Sequence, residues 1–242
     1  MRLTRLYDPG PLEAERQLDL GPHAAEHAAR VLRLRAGAAI RVFDGSGHEY
    51  EAQVTQVRGH AVRIRIQGAL PEEPLPRIAI TLAQSTARAE RMDYAIQKAT
   101  ELGVSAIQPL IAEHGVVKLA PDDARKLERW RALAVSACEQ CGRARLPQVL
   151  PPMIAAQYLS APGPGVRVVL DATGRVTVAQ LHESPAYTIA VGPEGGWSPL
   201  EEAAALSGGW VSLRLGPRTL RTETAGPAVI AALQALYGDF RA

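Results

Sequence analysis

The chain has 242 residues, of which 47% are hydrophobic and 21% are charged. This balance is typical of a soluble globular protein and excludes disordered, collagen-like and disulfide-scaffold chains. No run of about 20 apolar residues is present, and no apolar stretch follows the first arginines, so we expect neither a membrane span nor a signal peptide. Two cysteines are too few for a disulfide framework, and we therefore expect a cytoplasmic protein.

The net charge is only +2, but the positive charges are clustered and are almost all arginine. Residues 1–70 hold ten arginines against eight acidic residues, and 24 of the 27 basic residues in the chain are arginines. Arginine suits phosphates and base edges because its planar group donates paired hydrogen bonds. The clusters at residues 30–41 and 58–65 indicate either a nucleic-acid surface or an ordinary solvated face. Genome composition also produces an arginine bias, so both interpretations stay open.

Residues 1–70 have the pattern of a small β domain. A short helix is predicted at about residues 22–32 and a strand at 39–43, and alternating apolar and polar residues predict further strands around 49–54 and 62–67. Asp-Gly-Ser-Gly at 44–47 is a hairpin signal between the first two strands. Short strands separated by turn residues predict a small barrel. Three prolines in residues 71–76 mark a linker after this first domain.

Strands and helices alternate from residue 77 to residue 242, which we assign to a second domain. Strands are predicted at 78–82, 104–109, 166–170, 187–191 and 210–215, and helices at 92–102, 121–141, 199–206 and 224–237. Such alternation predicts a mostly parallel sheet with helices on both faces. We expect the chemistry in this domain.

The strongest local signal is a glycine-rich segment, Gly192–Pro199, directly after a predicted strand. Ser198 is a plausible N-cap, and Pro199 stands at the first helical position. Ligands bind at the carboxyl ends of strands in open α/β sheets, so we favour a ligand loop over a plain tight turn. The segment matches neither the dinucleotide nor the P-loop pattern. Glu201 and Glu202, in the next helical turn, would also repel a phosphate.

No known metal or hydrolase motif is present in the sequence. It contains neither His-Glu-x-x-His nor Gly-x-Ser-x-Gly. Cys138 and Cys141 share a predicted apolar helix stripe with Leu127, Trp130 and Ala134, which favours core positions over metal ligands. We therefore expect no metal site.

A second signal is the segment Leu213–Ala225, in which a strand end is followed by Gly-Pro and a loop rich in arginine and hydroxyl groups. Arg218, Arg221 and Glu223 lead into an almost wholly apolar helix, which suggests burial between the sheet and a second subunit. The simpler alternative is a connecting loop whose arginines face water. In a third segment, Lys98 and Glu101 have the spacing of an ordinary ion pair on a helix surface.

Several motifs occur in a fixed order along the chain: Met-Arg-x-x-Arg-x-Tyr at 1–7, His27–Arg33, Val42–Gly45, Gln97–Gly103, Glu139–Arg143, Gly192–Gly196 and Leu215–Ala225. Together they resemble the RsmE-type 16S rRNA uridine-N3 methyltransferases over the whole chain. The resemblance implies an α/β protein with an N-terminal PUA-like β-barrel and a C-terminal SPOUT α/β domain with a deep trefoil knot. It also implies a homodimer, S-adenosyl-L-methionine as cofactor and 16S rRNA of the small ribosomal subunit as partner. Gly226-Pro227 departs from the more apolar family pattern, but proline is tolerated in the first turn of a helix.

The resemblance also implies roles for individual residues. The cofactor would lie among loops 170–173, 192–197 and 215–224, with contacts from Leu170, Gly192, Pro193, Glu194, Gly195, Gly196, Leu215, Gly216, Leu220 and Thr224. Arg221 would hold the uracil or a phosphate, or stabilise the developing imidate, and Glu223 is a candidate proton acceptor. RNA would be anchored by Arg2, Arg5, Arg30, Arg33, Arg35 and Arg143.

Two alternatives remain at this point. One is a non-catalytic RNA-binding or ribosome-assembly protein of the same fold, although the intact knot loops favour catalysis. The other is a methyltransferase of this fold that acts on a different RNA. The chain has no asparagine, so the asparagine-dependent motifs of ribose 2′-O-methyltransferases are absent. No Gly-x-Gly-x-Gly follows a strand, as it would in a Rossmann methyltransferase.

Overall fold

A computed structural model describes residues 3–241. The chain divides into two compact units, Met1–Leu75 with Val135–Leu146 and Pro76–Ala134 with Pro147–Ala242. The sequence boundaries, 1–70 and 77–242, place residues 135–146 in the second domain, whereas the structure places them in the first unit. The reason is packing, because Cys138, Ala144 and Leu146 form a small cluster with Tyr7 and Phe43.

The first unit contains a five-stranded sheet in the order β1-β3-β4-β5-β2. Its strands are β1 Thr4–Tyr7, β2 Gln17–Asp19, β3 Ala39–Phe43, β4 Glu49–Arg58 and β5 Ala61–Ala69. Strand β1 runs parallel to β3, and the remaining neighbours are antiparallel. In β5 the buried Val62, Ile64 and Ile66 alternate with exposed residues, as predicted. The hairpin predicted between β3 and β4 is also confirmed.

The helix predicted at 22–32 is divided into two parts. Helix α1 spans Pro22–Glu26, and a π-helical turn follows at His27–Val31. The backbone N–H of Leu32 donates to the carbonyl of His27 at 3.0 Å, which closes the wider turn. Arg33 then adopts a positive φ of 51° and ends the helical segment.

The second unit has a parallel sheet in the order β12-β10-β11-β6-β7-β8, and β9 also pairs with β7. The strands are β6 Ala79–Ser85, β7 Ala106–Ile111, β8 Gln148–Val149, β9 Met153–Ile154, β10 Val166–Leu170, β11 Ala186–Val191 and β12 Val211–Leu213. The helices are α2 Ala89–Glu101, α4 Ala155–Ser160, α5 Pro199–Ser207 and α6 Thr222–Leu236. Helix α3, Ala124–Cys141, begins in this unit, and its residues from Val135 onward belong to the first unit. The predicted parallel sheet is therefore confirmed.

Helices cover both faces of this sheet, and the strand residues divide accordingly. One core cluster joins Met92 of α2 and Leu233 of α6 to large strand residues such as Leu82. A separate cluster joins Leu159 of α4 and Ala205 of α5 to smaller strand residues. Within residues 3–241, no helix is both long and apolar enough to cross a bilayer.

Helix α6 begins at Thr222, which places Pro227 inside the helix and not in its first turn as the sequence suggested. Proline has no N–H, so the carbonyl of Glu223 lacks its usual partner four residues on. Gly226 allows the helix to approach the sheet, since a Cβ there would lie 2.8 Å from Cδ1 of Leu82. The departure from the family pattern therefore lies where the helix packs most closely against the sheet.

Candidate functional site

The carboxyl ends of β10, β11 and β12 lie side by side because these strands are parallel neighbours. The segments that follow them line a cavity of about 920 Å³ in the second unit. These segments are residues 170–173, 192–197 without Gly195, and 214–222. Cavities of this size at this edge of an α/β sheet are typical small-molecule sites.

A capping box fixes the end of the glycine-rich loop and the start of α5. The Ser198 N–H donates to Glu201 Oε2 at 2.8 Å, and the Glu201 N–H donates to Ser198 Oγ at 3.4 Å. The other oxygen of Glu201 accepts from the backbone N–H of Glu113 at 2.9 Å. Both predictions, the Ser198 N-cap and Pro199 at the first helical position, are confirmed.

Glycines allow close packing in this loop, but they face different neighbours. A Cβ at Gly192 would lie 3.1 Å from atoms of the Trp197 indole, and both residues line the cavity. Gly196 also lines it and has a φ of +76°, a conformation that favours glycine. Gly195 instead faces His114, whose Cβ would lie 2.9 Å from an added Cβ. Gly195 is not among the residues that line the cavity, and its predicted cofactor contact stays a prediction.

Buried hydrogen bonds connect three elements beneath the cavity. The Gln84 side-chain amide, at the end of β6, donates to Thr222 Oγ1 at 2.9 Å. The Thr222 hydroxyl donates to the carbonyl of Gly192 at 2.8 Å. This chain fixes the start of α6 against the glycine-rich loop. The sequence did not predict these bonds, because Gln84, Gly192 and Thr222 are distant from one another along the chain.

Asp171 organises the loop after β10 and lines the cavity. Burial favours the protonated form, but hydrogen bonds from the Thr173 backbone N–H, the Thr173 hydroxyl and the Ser212 hydroxyl outweigh it and lower the pKa of Asp171. The carboxylate therefore stays charged at neutral pH while it ties the loop after β10 to strand β12.

The cavity wall combines three kinds of side chain. Apolar residues form one part: Val169, Leu170, Val191, Leu213, Leu215 and Leu220. Carboxylates come from Asp171, Glu194 and Glu202, and arginines come from Arg214, Arg218 and Arg221. Apolar surfaces suit an adenosine, exposed backbone groups suit its polar edge, and carboxylates suit a sulfonium cation. These residues therefore fit S-adenosylmethionine, the cofactor that the resemblance implies.

Most of the residues predicted to bind the cofactor line this cavity. They are Leu170, Gly192, Pro193, Glu194, Gly196, Leu215, Gly216 and Leu220. Thr224 does not line it and is exposed in the first turn of α6, and its predicted role stays a prediction. The prediction rested on the position of Thr224 in the segment 215–224. In the structure α6 already begins at Thr222, and the Thr224 side chain is exposed to solvent.

The two predicted catalytic residues differ in their surroundings. The Arg221 side chain is 75% exposed and lines the cavity, while Glu223 is only 12% exposed and does not line it. Arg221 Nη1 lies 4.0 Å from Glu223 Oε1, and Nε of Arg91 lies 3.8 Å from the same oxygen. Arg91, which the sequence analysis did not single out, also forms an ion pair with Glu194.

In the first unit, Arg5 is buried and structural. Its Nε pairs with Glu49 at 2.6 Å, and its other nitrogens donate to the carbonyls of Cys138 and Arg143 at 2.6 and 3.0 Å. Its guanidinium also lies 4.6 Å from the centre of the Phe43 ring. Its donors are therefore used inside the unit, which favours a structural role, and the predicted RNA contact of Arg5 stays a prediction.

The other predicted RNA contacts stay predictions. Arg30, Arg33 and Arg35 are exposed, and Arg30 pairs with Glu26 at 3.1 Å. Arg143 is half-buried, and Arg2 lies outside the described residues.

The structure accounts for the remaining motif residues without ligands. Lys98 pairs with Glu101 at 2.8 Å, as the spacing predicted. Cys138 is fully buried and Cys141 half-buried, and both are free thiols. Between residues 3 and 241, no group of three or more histidine, cysteine or acidic residues is arranged to hold a metal ion.

Comparisons with known proteins match one family to each of two parts of the chain. Residues 73–234 match the family described as RNA methyltransferase domain, and residues 20–67 match the RNA methyltransferase PUA domain. Ribosomal RNA small subunit methyltransferase E of Mycobacterium bovis is 34% identical and aligns over 87% of this chain and 83% of its own length. The Synechocystis protein of that name is 35% identical over 86% of this chain and 69% of its own.

Solved structures give the same result. Ribosomal RNA small subunit methyltransferase E from Neisseria gonorrhoeae, bound to S-adenosyl methionine, is 37% identical with a TM-score of 0.90. The alignment covers 99% of this chain and 100% of that one. The chain, with its PUA-like first unit and parallel α/β second unit, therefore belongs to the RNA methyltransferase family that includes the ribosomal RNA small subunit methyltransferase E proteins.

Proposed function

We propose that this protein is an S-adenosylmethionine-dependent methyltransferase that methylates N3 of a uridine in 16S rRNA of the small ribosomal subunit, as a cytoplasmic homodimer. One observation carries the proposal. Carboxylates, apolar side chains and three arginines line one cavity at the ends of β10, β11 and β12. A non-catalytic RNA-binding protein has no need of a cavity with this combination of groups.

The cofactor would be held by the loops after β10, β11 and β12. When bound, S-adenosylmethionine supplies an electrophilic methyl group on a sulfonium. The glycine-rich loop brings backbone groups close to the ligand, since neither Gly192 nor Gly196 has a side chain to fill the space. The hydrogen bonds from Gln84 through Thr222 to Gly192 keep this loop in place before any ligand arrives.

The arginines on the cavity wall suit an RNA strand. Arg214, Arg218 and Arg221 are all exposed and follow β12 along one loop. Guanidinium groups bind phosphates through paired charge-assisted hydrogen bonds. Phosphates beside a uridine turned out of its stack would be held there, which places the base at the opening. Arg221 also lies close enough to the opening to stabilise negative charge that develops on the uracil.

N3 of uridine carries a hydrogen that must be removed. Glu223 is the nearest carboxylate to Arg221, and its first oxygen lies between Arg221 and Arg91. It lies in the first turn of α6, where the positive end of the helix dipole attracts a carboxylate. We assign Glu223 the role of proton acceptor, reached by a small movement of the cavity wall or through a water molecule.

The first unit would anchor the RNA. Arg30, Arg33 and Arg35 lie on exposed surface around the π-helical turn. These contacts would add affinity through phosphates without reading sequence.

The direct test uses purified small ribosomal subunits, S-adenosylmethionine and the native chain, followed by mass spectrometry of nuclease fragments. The proposal expects one N3-methyluridine in 16S rRNA. Modification of another base, or of another RNA, would support a different member of the fold. RNA binding without any methylation would instead favour the non-catalytic alternative.

The homodimer and the deep knot belong to the same proposal. Leu236, at the end of α6, is 38% exposed, and the nearby Phe240 is 56% exposed. A Leu236→Glu change should give a folded monomer by light scattering and circular dichroism if this surface is intermolecular. Leu233→Glu is a poor test because Leu233 is fully buried within the unit. An unchanged dimer in the Leu236 variant would place the interface elsewhere.

A further inference from the structure

A single guanidinium connects two of the segments that form the cavity. Arg91, in α2, pairs through Nη1 with Glu194 of the glycine-rich loop. Its Nε lies 3.8 Å from Oε1 of Glu223, in the first turn of α6. The three residues come from separate parts of the second unit. Glu194 belongs to the loop that we propose holds the cofactor, and Glu223 is the proposed proton acceptor.

The position of Arg91 is unfavourable on local grounds. It is the third residue of α2 and lies in the first turn, near the positive end of the helix dipole. A positive side chain there lowers helix stability unless carboxylates compensate for it. The two carboxylates do so, which indicates that Arg91 is placed for contacts beyond its own helix.

Glu223 depends on its neighbours for orientation. Its Oε2 is buried and has no hydrogen-bond partner among the described residues, so only Oε1 is held by charge. Arg221 is 75% exposed and free to move toward RNA, whereas Arg91 is 34% exposed and is also held by Glu194. Arg91 is therefore the more rigid of the two cations beside Glu223.

Removal of Arg91 would change both segments together. Glu194 and Glu223 would become neighbouring carboxylates without the cation between them, and their repulsion would push the loop away from the start of α6. The loop holds the cofactor and Glu223 accepts the proton, so one change would affect cofactor affinity and turnover.

We propose that Arg91 is a positioning residue that couples the cofactor loop, through Glu194, to the orientation of Glu223. This inference rests on the proposed function of the site. Arg91 touches neither substrate nor cofactor in this scheme and acts only through the two carboxylates. The simpler alternative is a partly exposed ion pair that contributes little beyond stability.

The test compares Arg91→Met with Arg129→Met. Arg129 forms an ion pair with Asp93, also on α2, so the control removes an arginine that pairs with the same helix without touching the cavity. Calorimetry with S-adenosylmethionine should show an affinity about tenfold weaker for Arg91→Met and unchanged for Arg129→Met. Under saturating cofactor, kcat should also fall for Arg91→Met alone. Equal behaviour of the two variants would overturn the inference.

Glu194→Gln separates the two arms of the coupling. This variant should weaken cofactor affinity, because Glu194 lines the cavity and also loses its charge pairing with Arg91. In the Glu194→Gln background, Arg91→Met should cause little further loss of affinity but should still lower kcat. Fully additive losses of affinity would show that Arg91 and Glu194 act independently.

Two further outcomes keep this test separate from the proposed function. Arg91→Lys keeps the charge but places it on a single ammonium nitrogen, whereas Arg91 reaches the two carboxylates through two different nitrogens. The lysine variant should therefore recover part of the affinity if Arg91→Met folds poorly. Failure of the native chain to methylate rRNA would sink the function, while calorimetry would still test the link to Glu194. Native activity with an Arg91→Met variant that matches its control would sink the inference alone.

Discussion

One arginine of the first unit, Arg5, is buried, whereas Arg214, Arg218 and Arg221 of the second unit are exposed and line a cavity. The Arg5 side chain is 5% exposed and uses its donors on Glu49 and two carbonyls. The Arg221 side chain is 75% exposed and faces the opening, with its nearest carboxylate oxygen 4.0 Å away. The same residue type is therefore found in opposite environments: the donors of Arg5 are satisfied inside its unit, whereas the Arg221 guanidinium is mostly exposed.

The difference also reflects how each sheet is built. The mostly antiparallel sheet of the first unit distributes its charged residues along alternating positions of each strand, as in β5. The parallel sheet of the second unit brings the ends of β10, β11 and β12 to one edge, so loops distant in sequence meet there. Charged side chains are therefore spread over a surface in the first unit, whereas in the second unit the loops carry them to one edge of the sheet.

The largest effect should follow from loss of the exposed arginine at the cavity. Arg221→Ala should lower kcat by roughly 10²–10³, because a preorganised cation near developing charge contributes mainly to the transition state. Cofactor affinity should change little. Arg221 is the N-cap residue of α6 but makes no side-chain capping bond, so the helix should be unaffected. Single-turnover kinetics and calorimetry measure the two quantities.

Arg175 provides the control for that variant. It is exposed in the same unit and does not line the cavity. Arg175→Ala should leave kcat unchanged. A similar loss in both variants would point to general loss of RNA affinity and not to a role at the reacting base.

The buried arginine should affect stability and not chemistry. Arg5→Met should lower the free energy of unfolding by roughly 3 kcal/mol, since it leaves Glu49 and two buried carbonyls without their donor. Arg63→Met, which removes the exposed pair with Asp19, is the matched control and should barely move the urea midpoint. Weaker RNA binding by Arg5→Met without destabilisation would restore it as an RNA contact.

Local patterns predicted eight of the strands, the hairpin and the Ser198 N-cap, because hydrophobic periodicity and turn chemistry are properties of residues that are close in the sequence. The glycine-rich loop was also predicted, since it follows a strand directly. Arg5 was assigned to RNA because its burial depends on Glu49 and Cys138, which are distant in the sequence. Arg91 was missed for the same reason: its partners come from two other segments. Contacts between residues that are distant in the sequence leave no periodic pattern by which they could be predicted.

Two glycines of one loop should respond differently to the same substitution. Gly192→Val would press a branched side chain against Trp197 at the cavity and should weaken S-adenosylmethionine binding at least about tenfold. Gly195→Val would press against His114, outside the cavity, and should lower thermal stability with little effect on affinity. Calorimetry and thermal unfolding of both variants decide the matter. Equal losses of affinity would mean that the whole loop acts as one rigid element.

The smallest expected effect concerns the exposed arginines of the first unit. If Arg33 and Arg35 bind phosphates, the variant with glutamine at both positions should bind RNA more weakly. Its salt dependence should also flatten, by roughly 0.7–0.9 in log–log slope for each phosphate that is no longer neutralised. Arg63→Gln is the control, because Arg63 already pairs with Asp19 at 2.8 Å and has its donors engaged there. If the slope stays the same without Arg33 and Arg35, this surface is an ordinary solvated face. Exposed donors would then not be enough to make an arginine an RNA contact, and the contrast between Arg5 and the exposed arginines would need another explanation.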